Sequence, residues 1–286
     1  IPSIFDAGIT SIAIDASHMP DDLNLLANLD LNNYIPSWAG LETEVGEIKG
    51  SEGLSTVDDA SFLIKGLNAH NICPDWIALN NGTTHGIEAS GQGIQVDLTA
   101  AIHTALTPYG TSGAQHGTSG NSLDRLRDIA ANTRTTKANV ATALQMVSWG
   151  LEINEAGNAM LDGNGNFHKV KGEGVSEEVW EQMVAHAHRQ GWKGGNYKSL
   201  NLAFENRLLG QRAAVRERMA ARVEHFVYGL LVDVFHADGS ATLARELILE
   251  AGSYDLGPKA GRIEDPAEWT EDKITKRAAT LDVNQG

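Results

Sequence analysis

Two histidines are each followed directly by a glycine, His85-Gly86 in "NNGTTHGIEASG" and His116-Gly117 in "GAQHGTSGN". An imidazole can bind a metal ion or move a proton, and a glycine lets the backbone approach a ligand closely. The two turns lie about thirty residues apart in the chain. We therefore expect the two histidines to share one site.

Polar side chains occur at or just after the carboxyl ends of the predicted strands, namely Asp15, Glu44, His85, His116 and Asn139. In a parallel barrel these strand ends converge on one face, where active sites are built. Two histidines with carboxylates form a ligand set for Zn²⁺ or a similar divalent ion. The alternative is that these polar residues lie at strand ends by coincidence.

Strands and helices alternate along the first half of the chain. Runs of β-branched or apolar residues predict strands at 10–15, 39–48, 75–82 and 135–144. The last of these segments is a strand that leads into a helix. A helix follows Ser55 or Thr56, and either side chain could cap it. His70 and His103 lie in helical patterns and are expected at the surface or the edge of the core. This alternation of elements predicts a parallel α/β sheet or barrel.

The second half of the chain has a different composition. Residues 155–174 are rich in glycine and asparagine, which predicts a loop or a short hairpin. Helical periodicity predicts a helix over 176–192, with a capping box at Ser176, and a long helix over 211–240. The polar segment that follows residue 256 is expected to lie on the surface.

The overall composition excludes several classes of partner. The chain of 286 residues has a formal net charge of −15, which opposes binding to a nucleic-acid backbone but allows a small phosphorylated substrate. No apolar run approaches the ~20 residues of a membrane span. The single cysteine, Cys73, excludes a disulfide within the chain and suits a reducing cytoplasm. A lone cysteine in an apolar stretch is more often a core residue than a nucleophile.

Five segments in order resemble the class II, metal-dependent fructose-bisphosphate and tagatose-bisphosphate aldolases: "GITSIAIDASHMP", "LETEVGEIKGSEG", "NNGTTHGI", "HGTSGNS" and "KANVATALQ". The resemblance extends over residues 1–240. It implies a (β/α)₈ TIM barrel, of which this chain supplies about the last five strands. Residues 1–150 would form that part of the barrel, and residues 151–286 an added loop, long helices and a polar tail that pack on the barrel or on an oligomer interface.

The resemblance also implies a metal site and an activity. His85 and His116 match the family's metal histidines, and Glu44 and Asp15 match ligands of an alternative metal position. The implied cofactor is a divalent ion, above all Zn²⁺, with room for a monovalent cation. The implied reaction cleaves or forms a carbon–carbon bond of a ketose phosphate through a metal-stabilised enediolate.

The remaining site residues implied by the resemblance act on the substrate. Glu52 matches a loop glutamate that moves a proton at the ketose carbon, and Asn139 matches an asparagine that binds a substrate hydroxyl. The residues that match the phosphate-binding and substrate-binding positions are Gly86, Gly117, Ser119 and Thr142. The implied setting is a cytoplasmic homo-oligomer, a dimer or larger, that acts on a small phosphorylated sugar.

The chain departs from the family pattern in two places. It contains no His-x-Asp-His segment, which supplies the family with a metal histidine and a proton-donating aspartate, and Ala141 stands where the family has an aspartate. A preceding N-terminal segment, a second chain that completes the barrel, or a remodelled barrel would each explain the first departure. Two other functions stay open: a non-catalytic structural or regulatory subunit, and a metal-dependent lyase for an unphosphorylated substrate.

Overall fold

The computed structural model describes residues 1–46, 53–83, 93–154, 157–163, 166–252 and 259–282. Within these residues five strands form one parallel sheet in the order β1-β2-β3-β4-β5. The strands are β1 (Ser11–Ile14), β2 (Gly40–Val45), β3 (Trp76–Leu79), β4 (Ser112–Gln115) and β5 (Thr135–Ala138). The helices that precede or follow them are α1 (Pro2–Asp6), α2 (Asp21–Asn32), α3 (Val57–Ala69), α4 (Val96–Leu106), α5 (Leu123–Asn132) and α6 (Thr142–Trp149). Each strand leads into a helix, which confirms the predicted α/β alternation.

The second half of the described chain is helical. Its helices are α7 (Glu177–Gln190), α8 (Leu200–Ala203), α9 (Glu205–Leu209), α10 (Ala213–Asp233), α11 (Ala241–Ala251) and α12 (Glu271–Asp282). Short 3₁₀ segments occur at Thr107–Tyr109, Gly194–Ser199 and Pro266–Glu268. Three isolated antiparallel bridges, including Leu151 with Lys169, fold the Gly/Asn-rich segment back on itself.

The two faces of the sheet have different surroundings. On β2, Val45 lies in the hydrophobic core beneath the helices, and Thr43 Oγ1 donates to Asn28 Oδ1 of α2 at 2.9 Å. Side chains alternate between the two faces along a strand, so Glu42 and Glu44 point to the face away from these helices. That face therefore carries the acidic side chains of β2.

The sheet is curled with the acidic face inside. On a flat sheet β2 and β5 would lie about 14 Å apart, which is three strand spacings of about 4.8 Å. Lys137 Nζ nevertheless lies 2.6 Å from Glu42 Oε2. Curling brings these strands together across the inner face while the helices cover the outer face. The architecture is thus a partial (β/α)₈ TIM barrel with added helices.

Of the three hydrophobic clusters among the described residues, two hold most of the sheet and the added helices, and a smaller one joins α5 to α10. The first lies between the outer face of the sheet and α2, α3 and α4, and it includes the fully buried Leu25, Leu67 and Ile77. The C-terminal segment is mostly exposed, but Trp269 packs against Phe62 in this cluster, with 5.6 Å between the centres of the two rings. A few apolar side chains therefore anchor a segment whose composition is largely polar.

The second cluster joins α6 to the C-terminal helices and includes Trp149, Leu151, Met183 and Leu200. The backbone after α6 passes so close to Gly174 that a Cβ there would lie 2.1 Å from the nitrogen of Gly150. Gly174 also has a φ of +60°, a conformation that disfavours other residues. The turn before α7 thus requires glycine to fit against the barrel.

The helix caps follow the predicted residues in part. Thr56 Oγ1 accepts from the Asp59 amide at 3.1 Å, and an Asp59 carboxylate oxygen accepts from the Thr56 amide at 2.9 Å, so α3 begins with a complete capping box. Ser176 caps α7 through the Val179 amide. The predicted box is incomplete there because a valine occupies the third helical position.

We expect Thr56→Ala to lower the free energy of unfolding by about 1 kcal/mol, because it leaves the Asp59 amide of α3 without its acceptor. Thr104→Ala is the matched control: Thr104 is exposed in the last turn of α4, and its hydroxyl donates to the Ala100 carbonyl. The control should change stability by less than about 0.5 kcal/mol. Urea denaturation of both variants checks this, and equal losses would contradict the capping argument.

The prediction that His103 lies at the surface or the core edge was wrong. His103 is only 2% exposed and packs against Gly113 of β4, where a Cβ would meet its ring at 2.1 Å. His70 is exposed, and its Nε2 lies 2.9 Å from the Trp269 carbonyl oxygen. None of the described helices has both the length and the apolar character needed to cross a membrane.

Candidate active site at the carboxyl edge of the sheet

Three side chains from separate strands meet at the carboxyl edge of the sheet. His116 follows β4, Asn139 follows β5, and Glu42 lies on the inner face of β2. His116 Nε2 lies 2.8 Å from Glu42 Oε1 and 2.6 Å from Asn139 Nδ2. The backbone N–H of Asn139 donates to the Gln115 carbonyl at 2.8 Å, which fixes the loop after β5. The structure thus brings together His116 and Asn139 of the predicted site, with a third residue that was not predicted.

Glu42 and Lys137 are the site residues that sequence reasoning missed. Glu42 is 2% exposed, and its two carboxylate oxygens contact His116 and Lys137 separately. Lys137 also lies over the Trp76 ring, 5.1 Å from its centre. The alternation of side chains along a strand could have indicated both residues, because residues two apart point to the same face. Glu42 lies two residues before Glu44, and Lys137 lies two residues before Asn139.

The charges of Glu42 and His116 stabilise each other. Burial alone would raise the pKa of Glu42, but its hydrogen bonds with His116 and Lys137 outweigh burial and lower it. Burial alone would lower the pKa of His116, but the hydrogen bond with Glu42 and the charges of Glu44 and Glu42 raise it. This mutual support favours an ionised carboxylate that holds the imidazole in one orientation.

Glu44 lies near this cluster, but its pKa is shifted in the opposite direction from that of Glu42. It is 6% exposed, and burial, together with the charges of Asp15 and Glu42, raises its pKa to about 7 despite the opposing charge of His116. Among the described residues its carboxylate has no hydrogen-bond partner. Asp15 is exposed, and its Oδ1 accepts from the Ser17 hydroxyl at 2.7 Å. Glu44 therefore lies near enough to both His116 and Asp15 to interact with each by charge.

The glycine-rich turn after His116 is tightly held. Gly117 has a φ of +62°, and its carbonyl accepts from Asn121 Nδ2 at 2.8 Å. Ser119 Oγ accepts from the Ala143 amide at 3.1 Å, which leaves the hydroxyl proton of Ser119 available for another group. This turn lines a cavity of about 490 Å³ together with His116, Asn139, Thr142 and Gln145.

Several predicted site residues lie outside the described residues: His85, Gly86 and Glu52. The pairing of His85 with His116 therefore stays a prediction. Within the part of the chain that the structure describes, no three His, Cys, Asp or Glu side chains are grouped so that they could hold a metal ion.

We expect Lys137→Met to lower the free energy of unfolding by about 2 kcal/mol, because the buried Glu42 carboxylate loses one of its two charged partners. The loss should fall below that of a fully unpaired buried charge, since His116 remains and Lys137 is 32% exposed. Guanidinium denaturation measures the change.

Two further variants sharpen the Lys137 measurement. Lys273→Met breaks an exposed pair with Glu268 at 2.9 Å and should cost less than about 1 kcal/mol. The double variant Glu42→Gln with Lys137→Met should be less destabilised than the sum of its single changes, because no unpaired carboxylate remains. Strict additivity would show that the pair does not couple.

Comparison with known proteins places this site in a family. Residues 1–191 match the family model of class-II fructose-bisphosphate aldolases. The match spans about two thirds of the chain, and the chain belongs to this family. No curated protein sequence matches it.

A solved structure supports the same fold. A Coccidioides immitis protein assigned as a fructose-1,6-bisphosphate aldolase matches with a TM-score of 0.53 at 16% identity, over 85% of this chain and 70% of that one. The YdjI aldolase of Escherichia coli K12 matches with a TM-score of 0.47 at 18% identity, over 83% of this chain and 65% of that one. At such identities the first likeness supports the fold, and the second adds no argument.

Proposed function

We propose that this chain is part of a metal-dependent aldolase that cleaves or forms a carbon–carbon bond of a ketose phosphate through an enediolate. The observation that carries the proposal is the cluster of Glu42, His116 and Asn139 at the carboxyl edge of the sheet, in a chain of the class II aldolase family. Active sites of parallel barrels lie at this edge.

The donor types of the proposed residues suit a divalent ion of the zinc type. Imidazole nitrogen and carboxylate oxygen are the donors that zinc binds in proteins, and we propose His116 and His85 for this role, with Glu44 and Asp15 at an alternative position. The buried Glu44 carboxylate supports this, because it has no hydrogen-bond partner among the described residues and its pKa is raised to about 7. A nearby cation would stabilise its ionised form. A monovalent cation is compatible with the same oxygen donors.

A divalent ion supplies Lewis-acid polarisation of the carbonyl next to the bond that breaks. The protein's own residues would do the rest. Glu42 holds the His116 ring, as a carboxylate commonly does for a metal-binding histidine. Asn139 would bind a substrate hydroxyl, and Glu52 would move the proton at the ketose carbon.

We propose that the glycine-rich turns bind the phosphate. Backbone amides at Gly86 and Gly117, with the hydroxyls of Ser119 and Thr142, can surround a dianion. The free hydroxyl proton of Ser119 supports this role, and so does its place in the cavity beside His116.

The open edge of the sheet bears on how the barrel closes. Ala13 on the inner side of β1 is exposed, and the apolar side chains of Ile9, Met19 and Leu23 near this strand are 40% to 48% exposed. We propose that a preceding segment or a second chain covers this edge and completes the barrel. N-terminal sequencing and the intact mass of the natural protein test this, with a homo-oligomer as the expected assembly.

A cleavage assay with a panel of phosphorylated ketoses tests the proposed function. We expect cleavage of at least one of them, loss of activity with a chelator, and recovery on addition of Zn²⁺. Activity that survives exhaustive chelation would overturn metal dependence. Absence of both a bound divalent ion and turnover of any ketose would instead favour a non-catalytic subunit. Cleavage confined to unphosphorylated ketoses would reject the phosphate assignment.

A further inference from the structure

A positively charged side chain from the C-terminal helical region lines the cavity beside His116. Lys198 lines it together with residues of the barrel such as Ser119, Asn139 and Thr142. Among the described residues that line the cavity, Lys198 is the sole lysine or arginine, and none is an aspartate or glutamate. A cavity with one positive side chain and no carboxylate favours an anionic ligand.

The segment that carries Lys198 is firmly anchored. The two flanking anchors, Tyr197 and Leu200, are 6% and 0% exposed and lie in the second hydrophobic cluster. Tyr197 also packs edge-on to Phe167 with ring centres 4.6 Å apart. The exposed Lys198 side chain therefore stands on a backbone that is held in place, which reduces the entropy lost when it binds a ligand.

Gln145 also lines the cavity, and it carries a buried acceptor atom. The Oε1 atom of Gln145, on the first turn of α6, is buried and makes no hydrogen bond among the described residues. A buried acceptor left unpaired is costly, and a ligand hydroxyl could satisfy it. Ala141 lines the same cavity, so the position where the family has an aspartate presents only a methyl group.

We propose that Lys198 is a specificity-determining residue that binds the phosphate group of the substrate, while Gln145 accepts a hydrogen bond from a sugar hydroxyl. This inference rests on the proposed function for the identity of the substrate. It gives the added helical region a direct part in the site, because it supplies the positive charge that the glycine-rich turn lacks. A charge-assisted hydrogen bond from a lysine is stronger than one between neutral groups.

Calorimetric titration with inorganic phosphate tests the role of Lys198 without requiring turnover. We expect Lys198→Met to raise the Kd for phosphate about tenfold at low salt, the effect of one charge-assisted contact at an exposed position. Lys198→Arg should retain binding within about threefold, since the charge is kept. The matched control is Lys193→Met, because Lys193 is exposed in the neighbouring turn and does not line the cavity.

Three binding results would overturn the proposal: no phosphate binding by the unchanged protein up to about 10 mM, binding by Lys198→Met equal to that of the unchanged protein, or an equal loss in Lys193→Met. Steady-state kinetics of Lys198→Met with a phosphorylated ketose and its unphosphorylated form separates this proposal from the proposed function. A raised KM for a phosphorylated ketose, with unchanged kcat/KM for its unphosphorylated form, supports the role of Lys198. If phosphate binding depends on Lys198 but the protein cleaves no ketose, only the proposed aldolase function is rejected. If the protein cleaves a phosphorylated ketose and Lys198→Met leaves its KM unchanged, only the role of Lys198 is rejected.

Discussion

The variant His116→Ala is expected to lose its divalent ion and more than about 100-fold of its aldol-cleavage activity. Removing a partner of a metal ligand costs about 10–100-fold, and removal of the ligand itself should cost more. His116 also links Glu42 to Asn139, so the alanine leaves both side chains without their shared contact. Elemental analysis of the purified variant and a steady-state cleavage assay measure the two losses.

The control for His116→Ala is His188→Ala, since His188 is an exposed histidine on α7 away from the cavity. It should keep both the metal content and the activity of the unchanged protein. Circular dichroism must show that His116→Ala still folds. A folded His116→Ala variant with full metal content would remove His116 from the metal site and with it the main support for the mechanism.

The second large effect concerns acid stability and depends on His103. This ring is almost fully buried, its Nδ1 has no hydrogen-bond partner among the described residues, and burial, aided by the charge of Arg134, lowers its pKa from 6.5 to about 4. Above pH 6.5 the ring is neutral in both the folded and the unfolded chain, so the full stability is present. Below pH 6.5 the unfolded chain gains a proton that the folded chain does not, and stability falls until about pH 4.

We expect this single histidine to lower the free energy of unfolding by at most about 3 kcal/mol between pH 6.5 and pH 4. Urea denaturation across this range measures the change in the unchanged protein and in His103→Gln, whose side chain cannot be protonated. The variant should lose a large part of the pH dependence. Parallel curves for the two proteins would show that His103 does not determine acid stability.

Local patterns in the sequence predicted four of the five strands of the sheet, and β4 (Ser112–Gln115) lacks the apolar run that marks the others. Short β-branched or apolar runs such as "TSIAID" and "DWIALNNG" sit between helical patterns, and parallel strands with helical connections follow from that order. His116 and Asn139 could also be placed at one edge, because both follow strands of a parallel sheet.

Other features depend on contacts between distant parts of the chain, which no local pattern specifies. The contact of Glu42 with Lys137 exists only because the sheet curls, and a strand pattern predicts the face of a side chain but not the curvature. The burial of His103 depends on the open space above Gly113 of β4. Lys198 reaches the cavity through a segment whose position is set by the packing of Tyr197 and Leu200.

We propose above all that His85 and His116 hold one divalent ion at the carboxyl edge of the barrel, with Glu44 and Asp15 at an alternative position. Anomalous X-ray diffraction at the zinc absorption edge, from crystals of the protein grown with Zn²⁺, tests this most directly. We expect one strong peak about 2.0–2.2 Å from a ring nitrogen of His116, with His85 on the same ion. A zinc-loaded crystal with no peak at this edge, or with His85 and His116 too far apart to share an ion, would contradict it.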